Sequence, residues 1–195
     1  MESPSRSLQD LLADLTSGDE NRAEAAVPAL LALGESACAA LVALTRSLDA
    51  DQRWWAIRAL AQAPQTRTED LIPLLSDPSA DVRAAAALAI CNHPGEVAIP
   101  ALLSLLRDED SLVASLAGNA LAAIGGPAVP ALIEAAWQTP PAARILAVRA
   151  LAEIKDPRAI PTLLKLLEEN SSLLHYWAEE GLQRLGLNMI LLKLD

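Results

Sequence analysis

Apolar residues in this chain fall into a stripe that restarts about every thirty residues. Two stretches, VRAAAALAICNHPGEVAIPALLSLL (82–106) and ARILAVRALAEIKDPRAIPTLLKLL (143–167), coincide almost position by position. In their frame the same unit starts at Arg22, Gln52, Val82, Val113, Ala143 and Leu174, at spacings of 30, 30, 31, 30 and 31 residues. Its fifth position is always alanine: Ala26, Ala56, Ala86, Ala117, Ala147 and Ala178. The eighth is Ala29, Ala59, Ala89, Ala120, Ala150 and Gly181, and the ninth is Leu30, Leu60, Ile90, Leu121, Leu151 and Leu182. Positions 5, 8, 9 and 12 therefore follow i, i+3, i+4, i+7, which predicts one amphipathic helix per unit. Its small residues predict close approach by a neighbouring helix. Fixed periods of this length belong to repeat architectures.

Each first helix meets a breaker at Gly34, Pro64, Pro94, Gly125 or Gly186, with KDPR in the fifth unit. A second helix follows, as in VAIPALLSLL, PAVPALIEAA and RAIPTLLKLL. Pro100, Pro130 and Pro161 fall in its first turn, where a missing N–H costs nothing. Upstream of the first unit, Leu8, Leu11, Leu12 and Leu15 repeat the second-helix stripe, which predicts a half-unit cap over about residues 7–16. At the other end LGLNMILLKLD predicts a short leucine-rich helix with little polar cover, either packed back on the stack or open to self-association.

Composition narrows the class. Hydrophobic residues make up 52% of the 195, yet Phe is absent, Tyr occurs once and Trp four times. Ala and Leu dominate, and they favour helix over sheet, so the expectation is an all-α protein. The 15 basic and 25 acidic residues leave a net charge of −10, which opposes nucleic acid or an anionic membrane as main partner. Cys38 and Cys91 are too few for a disulfide framework. With no signal pattern and no apolar run of bilayer length, the expected location is the cytoplasm.

DVRAAAALAI followed by VAIPALLSLL, and VRALAEIKDPRAIPTLLKLL, resemble HEAT repeats of the short bacterial type also found in phycobilin lyase subunits. The resemblance runs from about residue 7 through nearly the whole chain. It implies an α–α superhelix of the HEAT/armadillo kind, about six two-helix repeats in a single domain over 1–195, with second helices lining the concave side. Where the family commonly has arginine, as at Arg53, Arg83 and Arg144, this chain also has Ala23, Ala114 and His175. The full DPRA motif survives only at Asp156 to Ala159, so polar ladders between repeats are expected to be patchy.

Cys91 and His93 in AICNHPGE look like the makings of a nucleophile or a metal site. In the repeat frame they occupy positions 10 and 12, about 200° apart around a helix, so they face away from each other. A nucleophile and its base need hydrogen-bond reach. His93 stands where other units have Leu33, Ala63, Ile124, Ile154 and Leu185, and is expected to be structural, bonded to a turn carbonyl. Neither His93 nor His175 is followed by Glu, unlike the His–Glu pairs of di-iron HEAT-like enzymes, and no GxGxxG, P-loop or GxSxG occurs. Neither catalysis, metal nor cofactor is expected.

The inner face, taken from second-helix positions 20, 23 and 27, holds Asp70, Asp77, Ser104, Asp108, Glu134, Gln138, Lys165 and Glu169. Five acids against one base is the wrong sign for DNA, which sets aside a likeness to helical-repeat DNA glycosylases. It suits a protein or peptide with a basic or mixed surface. Trp137, near the rim of this face, and Trp54, on the outward side of its first helix, are the aromatics to weigh as binding anchors. The expected function is a non-enzymatic protein-binding scaffold. The alternative is a subunit or chaperone like the phycobilin lyases, assisting attachment of a chromophore to a protein.

Overall fold

The computed structural model describes residues 6–187, which form helices joined by short turns with no strand among them. The expected cap is α1 (Leu8–Leu15), fixed at its start by a reciprocal bond pair between Ser7 and Asp10. First helices follow at α2 (Glu20–Ala32), α4 (Ala50–Leu60), α6 (Ala80–Asn92), α8 (Ser111–Ile124), α10 (Pro141–Ile154) and α12 (Ser172–Arg184). Second helices alternate with them at α3 (Glu35–Leu44), α5 (Thr68–Leu71), α7 (Ile99–Leu105), α9 (Val129–Gln138) and α11 (Ile160–Leu166). The leucine-rich tail from residue 188 onward lies outside the described residues.

By packing, the chain divides into two compact units, Met1–His93 and Pro94–Asp195. In the first, α4 packs against both α2 and α6, while α1 covers α2. In the second, α10 packs against α8, α9 and α12, and α7 touches both α8 and α9. Each unit thus has a first-helix layer and a second-helix layer, with the core between and within them.

The repeat frame accounts for that core. All six alanines at position 5 and all six Leu or Ile at position 9 are fully buried. Position 8 is buried in every unit except the first, where Ala29 is half-buried. Position 12 departs from expectation: Leu33 is 40% exposed, and only Ala63 is buried. In each unit this position sits at or beyond the end of its first helix.

Turn chemistry follows from the breakers. Gly34, Gly125 and Gly186 take positive φ; Gly34 and Gly125 pair it with ψ of −130° and −140°, whereas in the fifth unit Lys155 is left-handed helical at φ 58° and ψ 38°. Pro100, Pro130 and Pro161 stand at the second residue of α7, α9 and α11, each helix entered through a tight 3-10 turn. In the second unit Pro73 comes later in its helix, after α5. The chain there tightens into a 3-10 segment, Ile72–Ser76, because proline cannot donate to the carbonyl one turn back. The DPRA motif is a clamp: Asp156 accepts from the Arg158 N–H and guanidinium, which hold its carboxyl down at about 2. Arg158 also donates to the Gly126 carbonyl at 2.7 Å, tying the fifth repeat to the fourth.

Candidate functional site

Arginine at position 2 of the unit is the main polar organiser. Arg53 lies almost wholly inside, donating through Nε and Nη2 to both carboxylate oxygens of Asp77 at 2.7 Å. Its Nη1 reaches the Ser47 and Leu48 carbonyls in the loop before α4. Arg83 repeats this on the Asp77 and Pro78 carbonyls. Arg144 donates to the Ala136 carbonyl at 2.7 Å and to Glu169 at 3.0 Å. In the last repeat His175 replaces the arginine, with Nδ1 3.2 Å from the Leu167 carbonyl. The ladder is interrupted where the sequence has Ala23 and Ala114.

These bonds change the charge count on the expected inner face. Asp77 and Glu169 are held by Arg53 and Arg144, and Asp70 pairs with Arg67 at 3.2 Å. Asp108 accepts the Asp110 N–H at 2.9 Å, closing the turn before α8. At least three of the five acids are thus neutralised by arginines that lay outside the sequence-based count. A signal for this was present: in the second and fifth units an arginine at position 2 accompanies an acid at position 26 or 27.

Ser104, Glu134 and Gln138 do come together. With Leu103, Arg107 and Ala131 they line an open cleft of about 400 Å³ between α7 and α9. Its charged groups, Glu134 and Arg107, are exposed and of opposite sign. Lys165 is exposed on α11. Trp137, at the end of α9, is 41% exposed, with the Arg144 guanidinium 5.8 Å from its ring centre. The bonds of Arg144 to Ala136 and Glu169 therefore also hold the cation that steadies this indole. Trp54 belongs to the other compact unit, half-buried and edge-on to Trp55 at 5.0 Å.

Cys91 and His93 serve different neighbours. The Cys91 thiol lies 3.5 Å from the Ala87 carbonyl one turn back, and burial pushes its pKa up, away from thiolate. His93 ends α6, with Nε2 3.2 Å from the Ala61 carbonyl, and its own carbonyl accepts from the Thr68 hydroxyl at 2.7 Å. The turn carbonyl expected for this histidine is that of Ala61, at the end of α4. Asn92 also donates to it, at 3.1 Å. Replacing His93 with leucine should therefore change stability by less than about 1 kcal/mol in urea unfolding, since Asn92 still satisfies the carbonyl. Among the described residues no three His, Cys, Asp or Glu gather as a metal site would need. No single described helix is long and apolar enough to cross a membrane.

A profile of HEAT repeats matches residues 68–144 and 129–188. A phycobilisome maturation protein of Synechococcus elongatus is 38% identical over 92 residues, 47% of this chain. The chain spans 44% of that relative's length. Among solved structures, an archaeal HEAT-like repeats protein from Thermococcus onnurineus NA1 superposes with a TM-score of 0.65 at 14% identity, covering 94% of this chain and 81% of that one. The complex of CpcE and CpcF of phycocyanin lyase from Nostoc sp. PCC7120 gives 0.54 at 24% identity, covering 95% and 79%. At such identities both structures speak for the fold alone.

Proposed function

Since this chain belongs to the HEAT-repeat family, we propose that it is a non-enzymatic scaffold that binds a protein or peptide on its second-helix face. The observation that carries this reading is the α7/α9 cleft, where Ser104, Glu134 and Gln138 converge, with Trp137 exposed on the same helix, α9, just before Gln138. An exposed aromatic steadied by a fixed cation, on a helix that lines a polar groove, has the make-up of a binding hot spot. With Asp77 and Glu169 taken up by arginines, the face offers mixed rather than strongly acidic charge, so the fitting partner presents both an apolar contact and complementary charges. The test is quantitative capture from cells of the source organism, using wild-type bait and the double variant Trp137→Ala, Glu134→Lys. Partner recovery should fall roughly tenfold or more while the helical circular dichroism stays unchanged. Unchanged recovery would place binding elsewhere.

A second reading has its own support in the 38% identity to a phycobilisome maturation protein. Under it the chain assists chromophore attachment, as one HEAT subunit acting with another. Mixing the chain with a bilin, a candidate acceptor protein and the companion subunit would then produce covalent, acid-stable visible absorbance on the acceptor. Absence of that band with captured native partners present would leave the scaffold reading in sole possession.

A further inference from the structure

The fourth repeat lacks the arginine that organises its neighbours, and a cavity stands in its place. Counting from position 2, Arg53 reaches the carbonyls six and five residues back, Ser47 and Leu48. Arg83 does the same with Asp77 and Pro78. In the fourth repeat position 2 is Ala114, and the carbonyls six and five residues back are those of Asp108 and Glu109. A cavity of about 500 Å³ opens there, lined by Ala114, Asp108 and Glu109 on one side and Pro140, Ala143 and Leu146 on the other. The acid that would meet an arginine from the following loop is also missing, since Gln138 and Thr139 occupy positions 26 and 27. The first repeat offers the same correlation. Its position 2 is also alanine, Ala23, and a cavity of about 280 Å³ opens near it between Gly18 and Asp49, though Ala23 itself does not line it.

We propose that the cavity at Ala114 is a docking slot for an arginine side chain on a basic segment of a partner protein, supplying in trans the guanidinium that the fourth repeat lacks. The occupant's chemistry is specified within the chain itself. Arg53 and Arg83 show that this slot, in this register, takes a guanidinium whose tip donates to two loop carbonyls. Here the apolar walls are Ala143, Ile145 and Leu146, and the tip faces the backbone of Asp108 and Glu109. Glu109 is exposed and adds negative charge at the mouth, partly offset by Arg107. A planar fork of donors fits two adjacent carbonyls better than the point charge of lysine. The slot shares only Arg107 with the α7/α9 cleft, and stands whether or not that cleft binds a partner.

The experiment uses the full chain, 15N-labelled, titrated with N-acetyl-arginine amide and, separately, with N-acetyl-lysine amide. Saturable amide shifts at Asp108, Glu109, Ala114 and Ala143, several-fold weaker with lysine, are expected. Ala114→Arg should supply the group in cis, abolish those shifts and raise the melting temperature by roughly 2–4 °C. Should that variant fail to fold, Ala114→Leu, which fills the slot without charge, must also abolish the arginine shifts. Equal response to lysine would overturn the assignment, as would arginine shifts surviving in both variants. A wild-type dimer in sedimentation that Ala114→Arg dissolves would make the occupant a second copy and overturn the partner assignment. Trp137→Ala with Glu134→Lys should leave the arginine shifts intact, so failure here and failure of the scaffold reading are separable.

Discussion

Replacing Asp77 with alanine should lower the unfolding free energy by about 3 kcal/mol, the lower end of what breaking a buried ion pair costs. Arg53 is 8% exposed and holds both oxygens of this carboxylate, so the substitution strands a guanidinium inside the protein. The Ser47 and Leu48 carbonyls still accept from it, which keeps the loss from being larger. Adding Arg53→Met should recover much of the stability, because the stranded charge is then gone. The pH dependence follows from the same contact. Burial alone would raise the Asp77 pKa, but the Arg53 guanidinium and the Ser79 N–H hold it below the ordinary value. As pH falls, the unfolded chain therefore takes up this proton first. The contribution of Asp77 is full above about pH 5 and is lost as pH drops through its folded pKa. The gap between wild type and Asp77→Ala in urea unfolding should accordingly narrow on acidification. A cost below about 1 kcal/mol at neutral pH would mean the pair is not the anchor described.

Gly181→Val should cost a similar amount, about 3 kcal/mol, for a steric reason. Position 8 is alanine in five units and glycine in the last. A Cβ at Gly181 would lie 2.9 Å from Leu163 Cδ1 and 3.1 Å from both Cα and Cβ of Ala152. The leucine tip can swing away, but the Ala152 backbone belongs to α10 and cannot move without its helix. Gly181→Ala meets the same backbone yet gains about 1 kcal/mol of helix propensity, so its net cost should be nearer 1 kcal/mol. Urea unfolding of the two variants would check the order. A valine variant as stable as wild type would mean that α12 does not press on α10 at this point.

Much of this fold could be read from the residues. The alanines at position 5 and the leucines at position 9 are buried in every unit because a strict period fixes which face meets the neighbouring helix. The prolines of α7, α9 and α11 begin helices because a missing N–H is harmless in a first turn. Pro73 shows the converse, since its later placement shortens the second helix of its repeat into a 3-10 segment. The site was less legible. Spacing placed Asp77 and Glu169 on a surface, but whether a carboxylate stays there depends on what reaches it from another helix. Arg53 and Arg144 reach from 24 and 25 residues away. Ser104, Glu134 and Gln138 were found together because they lie on α7 and α9, where helical period alone decides the facing side.

The central functional claim is that the second-helix face at the α7/α9 cleft receives a protein partner. Photo-crosslinking in cells of the source organism tests it most directly, with a photoreactive residue placed either at Gln138, in the cleft, or at Leu88, which is 53% exposed on α6. The account predicts a discrete protein adduct from position 138 that disappears when Trp137→Ala is added, and none from position 88. An adduct from position 88 alone, or equal adducts from both, would contradict it.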